Sequence, residues 1–269
     1  MSDIRSAIDS VITLPHGYSD FAAAREHLFE CRAKSRLPEN SRTVITVIFP
    51  YYLGEEAYRD LNISRYAVSE DYHIIAGGML KDFTALLREK LPEYAFEPFI
   101  DSSPLPEVAC AVRSGVGVRG RNGLLISPEY GTYIFIGEIV TDAPVPVDEP
   151  GAGVCLSCGA CEKACPTGAL KDGRVDASRC LSALNQKKGE LTEEEKALIR
   201  ESGCAWGCDA CQTVCPMNKN IPVTPVAAFR ETAIANIGGE LKLEGRAYAW
   251  RGRQPIERNL KILGGAENN

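Results

Sequence analysis

The segment CLSCGACEKACP at residues 155–166 has four cysteines in the spacing CxxCxxCxxxCP. This spacing is typical of bacterial iron–sulfur proteins, in which a tight loop wraps three thiolates around one cubane cluster and the fourth cysteine serves another cluster. A shift of 50 residues superposes the same pattern on a second run, with Cys208, Cys211, Cys215 and Pro216. The internal repeat therefore predicts a ferredoxin-like domain with two [4Fe–4S] clusters.

The second run lacks one cysteine. The residue that corresponds to Cys155 is Ala205, so the repeat supplies seven thiolates where two clusters need eight. Two further cysteines are candidates: Cys180 lies between the runs, and Cys204 is one residue out of register. We assign one cluster to Cys155, Cys158, Cys161 and Cys215. We assign the other to Cys165, Cys208, Cys211 and Cys180, with Cys204 as the alternative eighth ligand.

A pair of structural zinc sites is the alternative for these cysteines, because four cysteine ligands are also a zinc pattern. Zinc ribbons are not built from a repeated CxxCxxCxxxCP run, so the repeat favours iron–sulfur clusters. The chain has 11 cysteines, an odd number, and their clustering is unlike an evenly spread disulfide framework. Outside the cluster region, Cys31 and Cys110 have apolar helical contexts and are predicted to be core residues.

The overall composition is that of an ordinary globular protein of 269 residues with a net charge of −6. This charge excludes a surface that is basic throughout, as in a general nucleic-acid binder, although it is compatible with a local basic patch. The N-terminus has no apolar segment typical of a signal peptide, and the longest apolar stretch, Val44–Leu53, is too short to cross a bilayer. We therefore expect a cytoplasmic protein with no membrane segment.

Hydrophobic periodicity predicts both helices and strands before the first cysteine run. The predicted strands are Thr43–Phe49, Phe96–Ile100, Leu124–Ile126 and Tyr133–Val140. The predicted helices are Asp20–Lys34, Ser69–Leu91, Pro106–Arg113 and, within the cysteine-rich part, Leu191–Arg200. These elements indicate the α+β class.

The stretch APVPVDEPGAG at residues 143–153 is rich in proline and glycine and is the best candidate for a domain boundary. We accordingly predict an α+β domain over residues 1–147 and a double-cluster domain over residues 148–235. Residues 236–269 are predicted to form a basic C-terminal segment that packs back on the core.

Two polar residues of the predicted α+β domain are candidates for chemistry. Asp101 directly follows the strand that ends at Ile100, and a carboxylate at a strand end suits either a general acid or a turn. His73 lies in a run that nearly matches the Asp-x-His-x-x-Gly pattern by which some corrinoid proteins offer histidine to cobalt, but its glycine is displaced. We favour a helical surface histidine at this position.

Several sequence blocks, taken in order, resemble one known family. They are RYA at 65–67, DYH at 71–73, Asp101-Ser102-Ser103-Pro104, FIGEI at 135–139, the first cysteine run, Arg179-Cys180, GCDACQTVCP at 207–216 and Arg258-Asn259. Together they resemble epoxyqueuosine reductase, the cobalamin-dependent iron–sulfur enzyme of queuosine tRNA modification. The similarity spans roughly residues 43–264.

The resemblance implies a corrinoid-binding α+β domain followed by the double-cluster domain. Electrons would pass through the clusters to the corrinoid and reduce an epoxide to an alkene, while a carboxylic acid protonates the departing oxygen. Asp101 matches the family's proton donor, and Cys180 matches its odd cluster ligand. The residues that would approach the corrinoid are Arg65, Asp101, Gly207, Cys208 and Asp209, whereas His73 would not bind cobalt.

The same resemblance implies a tRNA that carries epoxyqueuosine as the substrate, a flavodoxin or ferredoxin as low-potential electron donor, and a monomer. The chain departs from the family at Val118 and Met217, where tryptophans are usual. It also ends soon after Asn259, so we expect a short form without the C-terminal helical-repeat domain. The alternatives are a small-molecule corrinoid reductase of the reductive-dehalogenase kind and a pure electron-transfer protein.

Overall fold

The computed structural model describes residues 2–151, 153, 155–238 and 241–264, and the chain divides into two compact units. The first, called here the sheet unit, comprises Met1–Pro50, Tyr72–Gly120 and Leu124–Leu156. The second, called the cysteine unit, comprises Tyr51–Asp71, Arg121–Gly123 and Ser157–Asn269. Each unit is thus made of three segments that alternate along the chain, whereas the predicted domains and C-terminal segment are each one continuous stretch. The predicted boundaries remain a prediction.

The sheet unit is a mixed helix and strand structure, which confirms the α+β class. Its helices and strands are Ser2–Asp9 (α1), His16–Asp20 (β1), Phe21–Arg25 (α2), Thr43–Pro50 (β2), Tyr72–Lys90 (α3), Phe96–Ile100 (β3), Glu107–Arg113 (α4), Val118–Arg119 (β4), Leu125–Ile126 (β5) and Ile134–Thr141 (β6). A short 3₁₀ helix covers Arg32–Arg36. The four longer strands form one antiparallel sheet in the order β1-β2-β6-β3.

The register of this sheet places its centre in the core. Strand β2 is buried along its whole length, and its Ile45 and Phe49 lie opposite Ile139 and Phe135 of β6. Side chains alternate between the two faces of a strand, so one face receives α3 and the other receives α4. A Cβ atom at Gly137 would lie 2.8 Å from Phe49 and 3.2 Å from Leu80 of α3, so this close packing needs a glycine.

Most predicted elements of the sheet unit are found within a few residues of their expected ends, but the long helix Asp20–Lys34 is wrong. The structure has only α2 over Phe21–Arg25, and the chain returns to helical geometry at Arg32 as a 3₁₀ turn. Phe21 and Ala24 are buried in the core, whereas Phe29 is exposed. Leu28 and Ala33 also pack against this core, so the apolar positions of the predicted helix are covered without a continuous helix.

The cysteine unit has little regular structure. Its elements are Ala160–Lys163 (α5), Leu170–Lys171 (β7), Arg174–Val175 (β8), Leu181–Asn185 (α6), Glu193–Ser202 (α7), Ala210–Thr213 (α8), Ala227–Glu231 (α9) and Arg253–Leu263 (α10). Short 3₁₀ helices cover Glu55–Tyr58, Arg65–Ala67, Ala177–Arg179, Pro216–Asn218 and Ala247–Ala249. The sequence repeat is visible here, because α5 and α8 occupy equivalent positions of the two cysteine runs and pack against each other.

Helix α7 begins as the sequence predicts. Thr192 and Glu195 form a capping box, in which each side chain binds the backbone N–H of the other residue. Helices α6, α7 and α10 then enclose a small apolar cluster that contains Leu181, Ile199 and Ile262. This cluster supports the second cysteine run from one side.

Residues 241–264 of the predicted C-terminal segment pack onto the cysteine unit through α10, and residues 239–240 and 265–269 lie outside the described part. The structure gives Arg258 a structural role, because its guanidinium donates to the backbone oxygens of Lys187 and Gly189. Asn259 is fully buried and donates to the oxygens of Asn185 and Ala205. In the described residues, no helix combines the length and the apolar character that crossing a membrane requires.

Candidate functional site

Asp101 occupies an unusual backbone position directly after β3. Asp101 and Ser102 have φ angles of 46° and 40°, in the left-handed region that most side chains avoid. The backbone N–H of Ser102 donates to Asp101 Oδ1 at 2.9 Å. Asp101 is exposed at the surface of the sheet unit. Two consecutive left-handed residues turn the chain sharply and present this carboxyl group to solvent.

The first turn of α3 supplies the side chains that contact the Asp101 carboxyl group. Tyr72 donates its hydroxyl to Asp101 Oδ2 at 2.6 Å, and His73 Nε2 lies 3.6 Å from the same oxygen. The Tyr72 ring stacks between His73 and Phe135, with ring centroids 4.2 and 4.5 Å away. The strand β6 thus orients Tyr72, and Tyr72 orients the carboxyl group. The sequence predicts His73 on the surface of a helix, and the structure agrees, because His73 is an exposed residue of α3.

Two further carboxyl groups lie near this loop and were not identified from the sequence. Glu138, on β6, is completely buried, and its Oε2 accepts a hydrogen bond from the Ser103 hydroxyl at 3.0 Å. Glu107 is the first residue of α4. For Glu138, the only sequence signal of a buried carboxyl group was its position inside the apolar strand sequence IFIGEIV. A strand with one face in solvent would also explain a glutamate there.

Burial dominates the electrostatics of these two groups. Burial first, and then the charge of Asp101, raise the pKa of Glu107 to about 7, while the Asp101 backbone amide acts in the opposite direction. Burial also raises the pKa of Glu138 well above the ordinary carboxyl range, with the neighbouring Glu107 charge adding to it. Both groups therefore favour the protonated form more than exposed carboxyl groups do.

The cysteines of the second predicted cluster are neighbours within the cysteine unit. Burial is the largest of the effects that raise the pKa of Cys208 to about 11, and the charges of Cys180 and Cys165 are among the others. Burial similarly raises the pKa of Cys211 to about 12, with Cys208 and Cys180 next in effect among its neighbours. Thiols in such surroundings ionise only when a cation is present, and the irons of a cluster supply that charge. The donor set therefore fits an iron–sulfur cluster.

Cys204 has a different environment. Its Sγ donates to the backbone oxygens of Trp206 and Gly207, at 3.1 and 3.4 Å. Burial raises its pKa to about 12. Cys180, in contrast, is the N-cap residue of α6, and none of its described hydrogen bonds uses the thiol.

The sequence predicts both remaining cysteines, Cys31 and Cys110, to be core residues, and this is correct for only one of them. Cys110 is completely buried in the core, as predicted, and its thiol interacts with Glu138. Cys31 is exposed and caps a 3₁₀ helix, so the prediction that it is a core residue is wrong. The helix that would have buried Cys31 ends at Arg25. Among the described residues, no three His, Cys, Asp or Glu side chains lie close enough together to hold a single metal ion.

The residues predicted near the corrinoid in the cysteine unit form one network around Asp209. Its carboxylate accepts from the Arg65 backbone N–H at 2.7 Å and from the Ser64 hydroxyl at 2.8 Å. Burial raises the pKa of Asp209, and these hydrogen bonds oppose that effect. The Arg65 guanidinium pairs with both carboxylate oxygens of Glu55, at 2.9 and 2.8 Å, and lies 4.4 Å from the Tyr58 ring.

Gly207 allows this network to close. Its φ is +75°, and a Cβ atom there would lie 2.4 Å from Ser64 Cβ. The Asn185 side chain binds both the N–H and the oxygen of Gly207. The structure therefore brings Arg65, Gly207 and Asp209 together, with Cys208 next to them in the chain. Asp101 lies in the other unit.

The exposed surface around Asp101 has a composition that suits a corrinoid. Tyr72, His73 and Asp101 offer a hydroxyl, an imidazole and a carboxyl group, and the adjacent Ile74 is 51% exposed. A corrinoid combines an apolar macrocycle with a rim of amide side chains. A surface with both apolar and hydrogen-bonding groups is the kind that binds such a ligand.

Two family descriptions match the chain. Residues 154–218 match the 4Fe-4S double cluster binding domain, and residues 32–102 match the description epoxyqueuosine reductase QueG, DUF1730. The first match favours the iron–sulfur interpretation of the cysteine runs over the zinc alternative. The second includes Asp101 and Arg65.

Comparison with known proteins gives the same family. The chain is 34% identical over 255 residues to an epoxyqueuosine reductase of Lactococcus garvieae, covering 86% of this chain and 71% of that one. It is 36% identical over 206 residues to the Listeria monocytogenes protein of that name, covering 72% and 54%. The chain therefore spans between half and three quarters of the length of these relatives.

Solved structures show the same relationship. A crystal structure of epoxyqueuosine reductase with an epoxyqueuosine-modified tRNA-Tyr stem loop matches with a TM-score of 0.81 and 25% identity, over 97% of this chain and 80% of that one. A catabolic reductive dehalogenase matches with a TM-score of 0.53 and 15% identity, over 93% of this chain and 34% of the dehalogenase. The second likeness concerns the fold alone.

Proposed function

The chain belongs to the epoxyqueuosine reductase family, and from this premise we propose that it reduces epoxyqueuosine in tRNA to queuosine. In this reaction an epoxide takes up two electrons and two protons, its two C–O bonds break, and an alkene and water are released. The chain is an oxidoreductase, and its cofactors are two [4Fe–4S] clusters and cobalamin. The expected family, enzyme class and cofactors are thereby confirmed.

The observation that carries the proposal is the carboxyl group of Asp101. When bound, cobalamin supplies the electrons that the epoxide carbon receives. The protein must then supply a proton to the oxygen, because an alkoxide is a poor leaving group. Asp101 is exposed on a sharply turned loop, and the Tyr72 hydroxyl fixes one of its oxygens. Tyr72 and His73 thus orient the acid.

The cluster ligands follow from the repeat and from the neighbours of each thiol. One cluster uses Cys155, Cys158, Cys161 and Cys215, and the other uses Cys165, Cys180, Cys208 and Cys211. The charge of Cys180 raises the pKa of both Cys208 and Cys211, and this proximity supports the second set. Cys204 donates its thiol proton to two backbone oxygens, which supports its exclusion. Iron–sulfur clusters pass single electrons, which suits delivery to a redox cofactor.

The partners follow from the reaction. The substrate is a tRNA that carries epoxyqueuosine, and a tRNA substrate places the enzyme in the cytoplasm. A low-potential flavodoxin or ferredoxin supplies the electrons, and the chain acts as a monomer. We propose that Arg65, Gly207, Cys208 and Asp209 contact cobalamin. The Asp209 carboxylate, which accepts from the Arg65 N–H, would hold the Arg65 backbone in place for this contact.

The test is turnover of epoxyqueuosine-containing tRNA by the anaerobically reconstituted enzyme. Asp101→Asn keeps the size of the side chain and an oxygen for Tyr72, but it has no acidic proton. We expect kcat to fall by about 10²- to 10⁴-fold while cobalamin uptake, followed by absorbance, is unchanged. Asp142→Asn serves as the matched control in the same unit.

Three results would contradict the proposal. A protein that takes up no cobalamin would be a pure electron carrier. A wild-type enzyme that reduces a halogenated small molecule but not the modified tRNA would have the dehalogenase-like activity. Full turnover by the Asp101→Asn variant would exclude Asp101 as the acid.

A further inference from the structure

The loop that carries Asp101 rests on two carboxyl groups that the proposed chemistry does not use. Glu138 is completely buried, and it lies on the face of β6 that packs against α4. Glu107 lies at the start of α4. Phe99, Leu105 and Val140 make this region apolar.

Both carboxyl groups are attached to the loop. The Ser103 hydroxyl donates to Glu138 Oε2 at 3.0 Å, and Ser103 Oγ accepts the Leu105 N–H at 3.1 Å. The backbone amide of Asp101 interacts with the Glu107 carboxyl group. Left-handed backbone at Asp101 is strained, so it persists only where the surrounding structure holds it. Glu107 and Glu138 stabilise this backbone conformation from the protein interior.

The charges around the pair do not balance two carboxylates. Asp101 faces Glu107 as a further acid, and His73 is the cation that acts on Glu107. Around Glu138 the partners are Glu107, the Ser103 hydroxyl and the Cys110 thiol, and Arg113 acts on Cys110. Within the described part of the chain, Glu107 Oε1 and Glu138 Oε1 are both buried without a hydrogen-bond partner.

A single proton bound by Glu107 or Glu138 would remove the excess negative charge of this pair. Two carboxylates that interact in an apolar environment cannot both stay ionised without a large energetic cost. A proton on one carboxyl group removes one of the two negative charges and turns that group into a hydrogen-bond donor. It would therefore lower the cost of burying two carboxyl groups whose Oε1 atoms both lack a hydrogen-bond partner.

We propose that Glu107 and Glu138 share one proton and act as positioning residues that hold the 101–103 loop with Asp101 directed at the substrate. This inference rests on the proposed function, because it takes Asp101 as the acid. Loss of the shared proton leaves two buried anions that repel each other and Asp101. The loop then leaves its position, so we expect turnover to decline as the pH rises and this decline to depend on the pair.

The variants separate charge from structure. Glu138→Gln keeps the size of the side chain and an oxygen for Ser103 but cannot ionise, whereas Glu138→Ala removes the contact. We expect Glu138→Ala and Ser103→Ala to lower kcat by about 10- to 100-fold with an unchanged KM for the tRNA. We expect Glu138→Gln, unlike Glu138→Ala, to keep a kcat close to that of the wild type at neutral pH. Its kcat should also decline less than that of the wild type as the pH rises. Glu93→Gln, an exposed site in the same unit, is the control.

Two measurements do not depend on turnover. The infrared C=O stretch of a protonated carboxyl group should be present in the wild-type holoenzyme at neutral pH and absent in Glu138→Gln. The thermal stability of the protein should also depend on the ionisation of this carboxyl pair. Because folding raises the pKa of Glu107, its stabilising contribution is complete below the ordinary carboxyl pKa and is lost as the pH rises through about 7. The loss of Tm over that range should be smaller in Glu138→Gln than in the wild type.

The outcomes distinguish this inference from the proposed function. If Glu138→Gln retains the infrared band and the wild-type pH profile, the shared proton is excluded. If Ser103→Ala leaves kcat unchanged, the loop is not held through Glu138, and this holds even if Glu138→Ala fails to fold. If the wild type shows the band but no turnover of the modified tRNA, the proposed function fails while the proton sharing stands.

Discussion

The two units of the molecule are stabilised in different ways. The sheet unit has an apolar core around a four-stranded antiparallel sheet, and its central strand β2 is buried throughout. The cysteine unit has helices α5 and α8 of only four residues each, and much of its chain is held by side chains that bind backbone groups. A regular sheet stabilises its own core by packing, whereas such short helices need ligand bonds or buried polar anchors.

The largest expected effect tests the dependence of the cysteine unit on its clusters. Cys180→Ser removes one proposed thiolate, so we expect the iron content to fall from about eight to about four per chain and turnover to be lost. Amide hydrogen exchange should rise around α6 and α8 but not in β2 or β6.

Cys204→Ser is the control for this experiment, and it should retain the full iron and acid-labile sulfide content. The reverse result, with iron lost in Cys204→Ser and kept in Cys180→Ser, would assign the eighth thiolate to Cys204.

A smaller effect is expected at a polar anchor. Asn259→Ala removes the amide that donates to the backbone oxygens of Asn185 and Ala205, which should lower the free energy of unfolding by about 1–3 kcal/mol. Chemical denaturation of the holoprotein measures this change. Gln254→Ala, on the exposed side of the same helix, should change it by less than about 0.5 kcal/mol. Equal effects at both sites would refute the anchoring role.

The smallest effect concerns local helix capping. Thr192→Ala removes the hydroxyl that accepts the Glu195 N–H, which should cost about 1 kcal/mol of stability. Thermal denaturation should show the loss, and Thr192→Ser should recover most of it. If Thr192→Ser is as unstable as Thr192→Ala, then the methyl group rather than the cap is the source of stability.

Much of the fold was predictable where the signal is local. Strand β3 was predicted with the observed ends, and α3 and α4 were predicted within a few residues, because their apolar periodicity and flanking prolines are strong signals. The capping box of α7 was also predicted. The predicted helix over Asp20–Lys34 was wrong because Leu28 and Ala33 reach the core from an irregular stretch and a 3₁₀ helix, so tertiary packing overrode the local periodicity.

The candidate site was only partly predictable. The family resemblance and the strand-end position identified Asp101, but nothing local indicated that Glu107 and Glu138 lie close to its loop. Their contact depends on α4 and β6 packing against each other, at residues 31 positions apart in the chain. The attachment of Tyr51–Asp71 to the cysteine unit was likewise hidden, because it depends on Asp209 binding the backbone of Arg65.

The sequence by itself determined the two-cluster chemistry and the family. A metal-cluster loop is recognised by the spacing of its ligands, and spacing is a property of the chain alone. Only the tertiary structure decided that Cys31 is exposed, that Arg258 serves the backbone, and that two buried carboxyl groups lie against the acid's loop. Burial and partnership depend on which distant segments pack together, and these in turn set the charge state of a carboxyl group.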